Sequence, residues 1–535
     1  MNGANGVNVV HWVHGVNGVN GVNGINGVNG VNGVNGVNGV NGENGENGHS
    51  FPEGLNRIYP LTKIDQASPR EYIRWMYIFD FTVTTEFRIR AAIDAIVRGA
   101  RNALRYYPFL AGRLKALSDS VDENLQLRYP DTITMGKIRE LVKYKVMMDG
   151  AGNYDRLCSR NMPVNQWKQE DFCAAPPDPD PSIWQPAFTL QANFLQSGGL
   201  VLCFAFHHCV VDNRSIVTFL RRFSAGIQTV SQDLQEYEAP DISFYFLPDF
   251  TGELAQFPEW VANENHMPVP AAIEDRPANY VFIIDHDDAL EWTQEIVSYL
   301  RNTLNIPDEV VIVDCLVAIL WTEIIRAGQI TALQEDRESR LHFNVNAREE
   351  LIPPLDESYF GNMSVSAVAT MRCPDRIMAT DTEDPEFYEE SLSIFGLATQ
   401  TIRRAIERLS NMYARRRLTF LNNMTLPGQI QKISDEAIHC RHAGIRLSST
   451  GSGADVEFGI PGAGSGPNNN SGRARFIRKP WMNDSEGEIV IIPRQEGQGG
   501  VWTFQVCLQR WQIESAVPLL EIYGFEAVKN NGNPS

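Results

Sequence analysis

The chain has 535 residues, 43% of them apolar, enough for a large buried core and too many for one compact domain. Its 46 basic and 65 acidic residues leave a formal charge of -19, a field that repels polyanions and argues against nucleic acid as a partner. Eight cysteines (Cys158, Cys173, Cys203, Cys209, Cys315, Cys373, Cys440 and Cys507) lie far apart with no C-x-x-C pair, which suits core packing in a reducing compartment. The first residues, MNGANGVNVV, carry no side-chain charge, and no apolar run reaches the roughly 18 residues of a membrane span, so a cytoplasmic location is expected.

From Gly15 to Asn41 the chain repeats Gly-Val-Asn, then Gly-Glu-Asn up to Gly48. With no proline before Pro52 this is not a collagen pattern, and residues 1–50 are expected to form a flexible low-complexity arm. Ordered sequence begins near Phe51. Glu71 to Thr85 has the aromatic and β-branched content of a strand, and Phe87 to Tyr106 carries an apolar stripe at helical spacing that Pro108 ends. A proline-rich stretch, Ala174 to Pro186, precedes an apolar strand at Leu200 to Phe206 and a helix at Ser215 to Ile227.

Residues 235–279 are aperiodic and proline-bearing, as a crossover between two lobes would be, which gives 51–234 as the first lobe and 280–535 as the second. In the second lobe the pattern predicts strands at Tyr280 to Asp285, Arg340 to Val345, Gly487 to Ile492 and Val501 to Leu508. It predicts helices at Ala289 to Leu300, Val310 to Arg326 and Leu392 to Ser410. Helices alternate with strands in both halves, which predicts two α/β layers.

His207-His208-Cys209-Val210-Val211-Asp212 is where two histidines adjoin, at the turn from an apolar strand into a helix. Imidazole is the side chain best suited to accept a proton near neutral pH, and strand ends are where α/β folds place chemistry. An H-x-x-x-D spacing is weak by itself, and a buried histidine pair satisfied by backbone carbonyls is the competing reading. Adjacent residues at a strand end point to opposite sides, so one ring faces a channel while the other packs.

Further segments carry a family resemblance. Leu61-Thr62-Lys63-Ile64-Asp65-Gln66 with Tyr72-Ile73-Arg74, the stretch Tyr107 to Leu114 (YPFLAGRL), Asp314 to Trp321 (DCLVAILW), Asn346-Ala347-Arg348 and Tyr359-Phe360-Gly361-Asn362 occur in one order. In that order the chain resembles a BAHD-type acyltransferase of the fungal secondary-metabolite kind.

The resemblance implies a two-lobed α/β fold like that of chloramphenicol acetyltransferase, with a channel between two similar lobes. It implies a monomer that moves an acyl group, acetyl in the first instance, from acyl-CoA to a hydroxyl or amine of a small acceptor. No bound cofactor or metal is expected; acyl-CoA is a co-substrate. His208 is implied as the general base, with His207 packing, and Asp212 as the support of the turn, paired with Arg348. No covalent enzyme intermediate is implied, because a thioester is already electrophilic.

Some positions depart from the pattern. Asn213 stands where the family has glycine, and the D-F-G-W-G block survives as Asp455-Val456-Glu457-Phe458-Gly459-Ile460 without its tryptophan. The counterpart of the family's Ser-Trp pair reads Ser448-Ser449-Thr450, which makes Ser449 and Thr450 candidate oxyanion or substrate contacts. Gly462 to Gly472 reads as a flexible loop, and Arg473 and Arg475 after it are candidate contacts for CoA phosphates, against a solvated basic face. Two other readings stay open: a condensation-like enzyme served by a carrier protein, and a non-catalytic descendant that binds a small molecule in the old channel.

Overall fold

The structure, a computed structural model, describes residues 9–10, 54–82, 85–117, 124–147, 153–164, 167–195, 197–228, 235–261, 277–304, 310–329, 338–372, 386–424, 430, 444–449, 456–466, 469–470, 472–480, 487–492 and 500–528. The Gly-Val-Asn arm lies outside the described residues apart from Val9–Val10.

In chain order the strands of the two main sheets begin with β1 (Val9–Val10), β2 (Tyr72–Asp80), β3 (Val142–Met147), β4 (Phe188–Leu195) and β5 (Gly199–His207). They continue with β6 (Pro277–Ile284), β7 (Glu338–Asn346), β8 (Ser364–Arg372), β9 (Gly444–Ser449), β10 (Phe476–Arg478), β11 (Glu488–Ile492), β12 (Trp502–Gln509) and β13 (Glu526–Ala527). The first sheet runs β1-β3-β4-β5-β2-β10 and the second β8-β7-β9-β11-β12-β6-β13. Both are mixed. β3 pairs parallel to β4, β9 parallel to β7 and β11, and the remaining neighbours are antiparallel.

The helices used below are α1 (Lys63–Gln66), α2 (Glu86–Tyr106), α3 (Asn213–Gln228), α4 (His286–Leu304), α5 (Ile312–Gln329), α6 (Phe387–Glu407), α7 (Asn411–Asn423) and α8 (Arg510–Ile522). α2 buries Ile89, Ala92, Ile96, Ala100 and Leu104, the stripe read from its spacing. It shares a core with Phe204, Phe206, Phe219 and Phe223 from β5 and α3. In the second lobe α5 is buried nearly all round, and the indole Nε1 of Trp321 donates to Ser339 Oγ at 2.9 Å. Such a helix gains from burial on every face and needs a polar partner for its indole N–H.

Two features depart from the sequence expectations. β4, β8 and α7 were not marked by periodicity: β4 (FTLQANFL) is buried along its whole length, which removes the alternation that identifies a half-buried strand. The lobe division is also crossed. β10 completes the edge of the first sheet against β2, with Ile477 opposite Tyr77, although it lies two hundred residues beyond the crossover.

The stretch from Val456 to Ile460, which precedes β10 in the chain, also packs into the first lobe. Phe458 is fully buried, with edge contacts to Tyr77, Phe79 and Phe223 and a stacked contact to Phe204. Without its tryptophan, the eroded block therefore still anchors first-lobe packing. Within the expected loop, Ser465–Gly466 pairs with Asn469–Asn470, and the Gly464 amide donates to Asp80 on β2 at 2.9 Å.

Candidate active site

The β2–β5 ladder brings His208 to the seam between the lobes. β5 is buried throughout because both faces carry apolar side chains: Leu202, Phe204 and Phe206 on one, Val201, Cys203 and Ala205 on the other. Alternation then assigns the histidines. His207 follows the second face, is 3% exposed, and packs edge-on against Tyr72 with ring centroids 5.3 Å apart. Its Nδ1 accepts the Cys209 amide at 3.3 Å, and burial, aided by the charges of His208, Arg70 and Arg74, holds its pKa down at about 3. It is a neutral packing residue, as alternation requires.

His208 lies on the other face and lines a cavity of about 190 Å³. Its backbone is fixed from both sides: the amide donates to the Glu71 carbonyl at 2.8 Å, and its carbonyl accepts from Asn362 Nδ2 at 2.8 Å. Among the described residues Nδ1 is buried without a hydrogen-bond partner, so Nε2 is the ring nitrogen left for a ligand.

Asp212 stands at the start of α3 and is fully engaged. Oδ1 accepts the Ser215 amide at 2.9 Å, the capping bond of a helix N-terminus, and Arg348 Nη2 at 3.1 Å. Oδ2 accepts Arg348 Nη1 at 2.7 Å and the Met363 amide at 2.9 Å. Burial would raise this carboxyl, but the Arg348 charge and hydrogen bonds, with the Ser215 and Met363 amides, outweigh it and hold it below its ordinary value. Arg348, 1% exposed, also donates to the carbonyls of Tyr359 and Gly361. Gly361 has a φ of +152°, a conformation that side-chain-bearing residues rarely adopt, which explains a glycine between Phe360 and Asn362. None of these contacts leaves an Asp212 oxygen for the His208 ring, so Asp212 holds the turn.

Asn362 is the partner that sequence reasoning quoted in a motif without a role. It donates from its amide and from Nδ2 to Asp65 Oδ1, each at 3.0 Å, as well as to the His208 carbonyl. Asp65 in turn forms a capping box with Thr62 on α1. Burial raises the Asp65 carboxyl against these hydrogen bonds. The LTKIDQ and YFGN segments thus meet at one point, beneath the histidine.

The rest of the cavity wall comes from the first strand and the second sheet. Ser68, Glu71, Ile73 and Trp75 line it from one side; His342, Asn344, Ser366, Arg446 and Ser448 line it from the other. Two ion pairs border it: Glu259 accepts Arg417 Nε at 2.7 Å, and Glu488 accepts Lys479 Nζ at 2.7 Å. From the Ser448-Ser449-Thr450 segment it is Ser448 that lines the cavity, and its Oγ donates to Glu488 Oε1 at 2.8 Å. Ser449 is the last residue of β9, and Thr450 lies outside the described residues.

Asn213 lines the cavity and opens α3 without a left-handed φ, so the position does not require glycine's freedom. The basic cluster is spread over structural duties. Arg475 pairs with Asp80 at 3.0 Å, and Arg473 forms a backbone β-bridge with Glu457. Arg478 is buried, donating to the carbonyls of Asn161 and Met162. Neither Arg473 nor Arg475 is on the wall of this cavity. No group of metal-ligating side chains occurs among the described residues, and no described helix is long and apolar enough to cross a membrane.

Residues 175–384 match the Transferase family. The trichothecene 8-O-acetyltransferase of Fusarium sporotrichioides is 21% identical over 468 residues, covering 81% of this chain and 90% of that protein. The O-acetyltransferase astG of Aspergillus oryzae is 23% identical over 409 residues, covering 68% and 83% respectively. Among solved structures, Fusarium graminearum TRI101 complexed with coenzyme A and T-2 mycotoxin superposes with a TM-score of 0.68 at 15% identity, over 89% of this chain and all of that one (100%). Vinorine synthase superposes with a TM-score of 0.55 at 12% identity, over 88% and 94%. The chain has the fold of these solved structures, and its match to the Transferase family spans residues 175–384, the stretch that carries His208, Asp212, Arg348 and Asn362.

Proposed function

We propose that the protein transfers an acyl group, acetyl in the first instance, from acyl-CoA to a hydroxyl or amine of a small secondary-metabolite acceptor, with His208 as general base. The observation that carries this reading is the placement of His208: its backbone is held by both lobes, its ring lines the cavity, and Asp212 is engaged by Arg348 and by the Ser215 and Met363 amides. The names of two fungal relatives, a trichothecene 8-O-acetyltransferase and an O-acetyltransferase, support the acceptor class. A neighbour's complex with coenzyme A and a mycotoxin supports the donor.

In the reaction, Nε2 of His208 takes the proton of the acceptor as its oxygen or nitrogen bonds to the thioester carbon. The C–S bond then breaks, and the departing thiolate takes the proton back. General-base assistance of this kind contributes about 10²–10⁴-fold in rate. Arg473, Arg475, Ser449 and Thr450 remain proposals as donor or oxyanion contacts. Arg475 would have to exchange Asp80 for a phosphate.

The test is incubation of the purified chain with acetyl-, malonyl- and longer acyl-CoA thioesters and a pool of hydroxylated metabolites, following thiol release and acylated product by mass spectrometry. Acceptor-dependent thiol release with a mass gain on one acceptor supports the reading; no product across the panel contradicts it.

A further inference from the structure

The β2–β5 ladder pairs Tyr72 with His207, Ile73 with Phe206 and Trp75 with Phe204. One rung further, the His208 amide donates to the Glu71 carbonyl at 2.8 Å, so these two residues stand directly opposite. Opposed residues of an antiparallel pair project to the same face, with Cβ atoms about 4.5–5.5 Å apart. Glu71, Ile73, Trp75 and His208 all line the one cavity, as that alternation requires. Glu71 is half-buried, and its carboxylate forms no ion pair with another described residue.

The other charges around the cavity are arranged differently. Glu259 is paired with Arg417, and Glu488 with Lys479. Arg446 lies in register between Glu488 and His342, whose imidazole burial holds down at about 4. Behind the histidines, Arg70 and Arg74 act on His207; Asp212 is bound to Arg348 and Asp65 to Asn362. Glu71 is thus the carboxylate on the face of His208 that no partner neutralises among the described residues, beside a ring whose buried Nδ1 is unmatched.

We propose that Glu71 is the positioning residue for the His208 base: one rung across the ladder, its carboxylate stabilises the imidazolium formed when His208 takes the acceptor's proton. This rests on the reading of His208 as base. The ring is cationic only between accepting the acceptor's proton and returning it to the thiolate, so a fixed negative charge beside it favours the interval in which the acyl carbon changes partners. Asp212 cannot serve, since both its oxygens are taken.

The test compares the full chain with Glu71→Gln, Glu71→Asp and Glu71→Lys. The pH dependence of His208 carbethoxylation by diethyl pyrocarbonate, resolved from His207 by peptide fragmentation, reports the ring's titration without any substrate. The midpoint should fall by about one pH unit in Glu71→Gln and further in Glu71→Lys, and stay near wild type in Glu71→Asp. In acyl transfer, kcat should fall about ten-fold in Glu71→Gln with KM for acyl-CoA unchanged. An identical midpoint in all variants would overturn the proposal, as would a loss confined to KM for the acceptor, which would make Glu71 a substrate ligand. A shifted midpoint in a chain that transfers no acyl group would refute the proposed function and leave the pair standing.

Discussion

Asn362, on the second lobe, donates its side-chain amide at 2.8 Å to the carbonyl of His208, on the first. The same amide donates to Asp65 at 3.0 Å, so one side chain ties the candidate base to α1 and to the loop that follows Arg348. The site is therefore a joint between lobes, and its geometry depends on residues that touch no substrate.

Asn362→Ala removes that tie while leaving the ring of His208 intact. Small displacements of a catalytic group cost up to about a hundred-fold. We expect kcat to fall about ten- to a hundred-fold with little change in KM for acyl-CoA, together with a lower melting temperature because the buried Asp65 loses the Nδ2 donor and keeps only the backbone amide of residue 362. Steady-state kinetics and thermal melts on the same preparation check both.

The Asp212–Arg348 pair is buried on both sides, at 3% and 1% side-chain exposure. Breaking such a pair by removing one partner costs about 3–5 kcal/mol, because the other charge is stranded. Arg348→Met should therefore be strongly destabilised at neutral pH in denaturant titrations. The folded Asp212 carboxyl lies below its ordinary value of 3.8, so its contribution is present above that pH and is lost as pH falls through the folded value. The stability gap between wild type and Arg348→Met should accordingly narrow as pH is lowered below about 4. A gap that stayed constant would mean that the pair is not what the variant disrupts.

His207 supplies a second, wider acid sensitivity. Its folded pKa of about 3 lies far below the ordinary 6.5, so its neutral form stabilises the fold above about pH 6.5, and that stability drains away as pH falls toward about 3. Replacing it by a residue that cannot titrate, as in His207→Gln, should flatten the pH dependence of stability in that window. Equilibrium unfolding at several pH values measures it.

Phe458→Ala should destabilise the first lobe although the residue lies far along the chain. Truncating a fully buried phenylalanine costs about 3–5 kcal/mol, and this one touches four aromatic rings of the first-lobe core. Hydrogen exchange should show the added opening in β2, β5 and α3 before the second sheet. Opening confined to the second sheet would contradict the packing described.

Much of this was legible in the sequence because local rules govern it. The stripe of α2, the apolar run of β5 and the helical spacing of α3 are each set by residues within a few positions. Opposite pointing of His207 and His208 follows from strand alternation, and the motif order supplied the Asp212–Arg348 pair. What stayed hidden depends on pairing across long separations. Nothing local says that Phe476–Arg478 joins β2, about four hundred residues earlier, or that Asn362 reaches His208. Which of Ser448 and Ser449 meets the cavity depends on the register of β9 between β7 and β11. That Glu71 opposes His208 likewise emerges from the ladder rather than from composition.

The central claim is that His208, and not its neighbour, moves the proton. Initial rates of acyl transfer for wild type, His208→Ala and His207→Gln, each verified as folded, test it most directly. The account predicts a loss of about 10²–10⁴-fold for His208→Ala, with acyl-CoA binding retained, and a far smaller loss for His207→Gln. Equal rates for wild type and His208→Ala would contradict it.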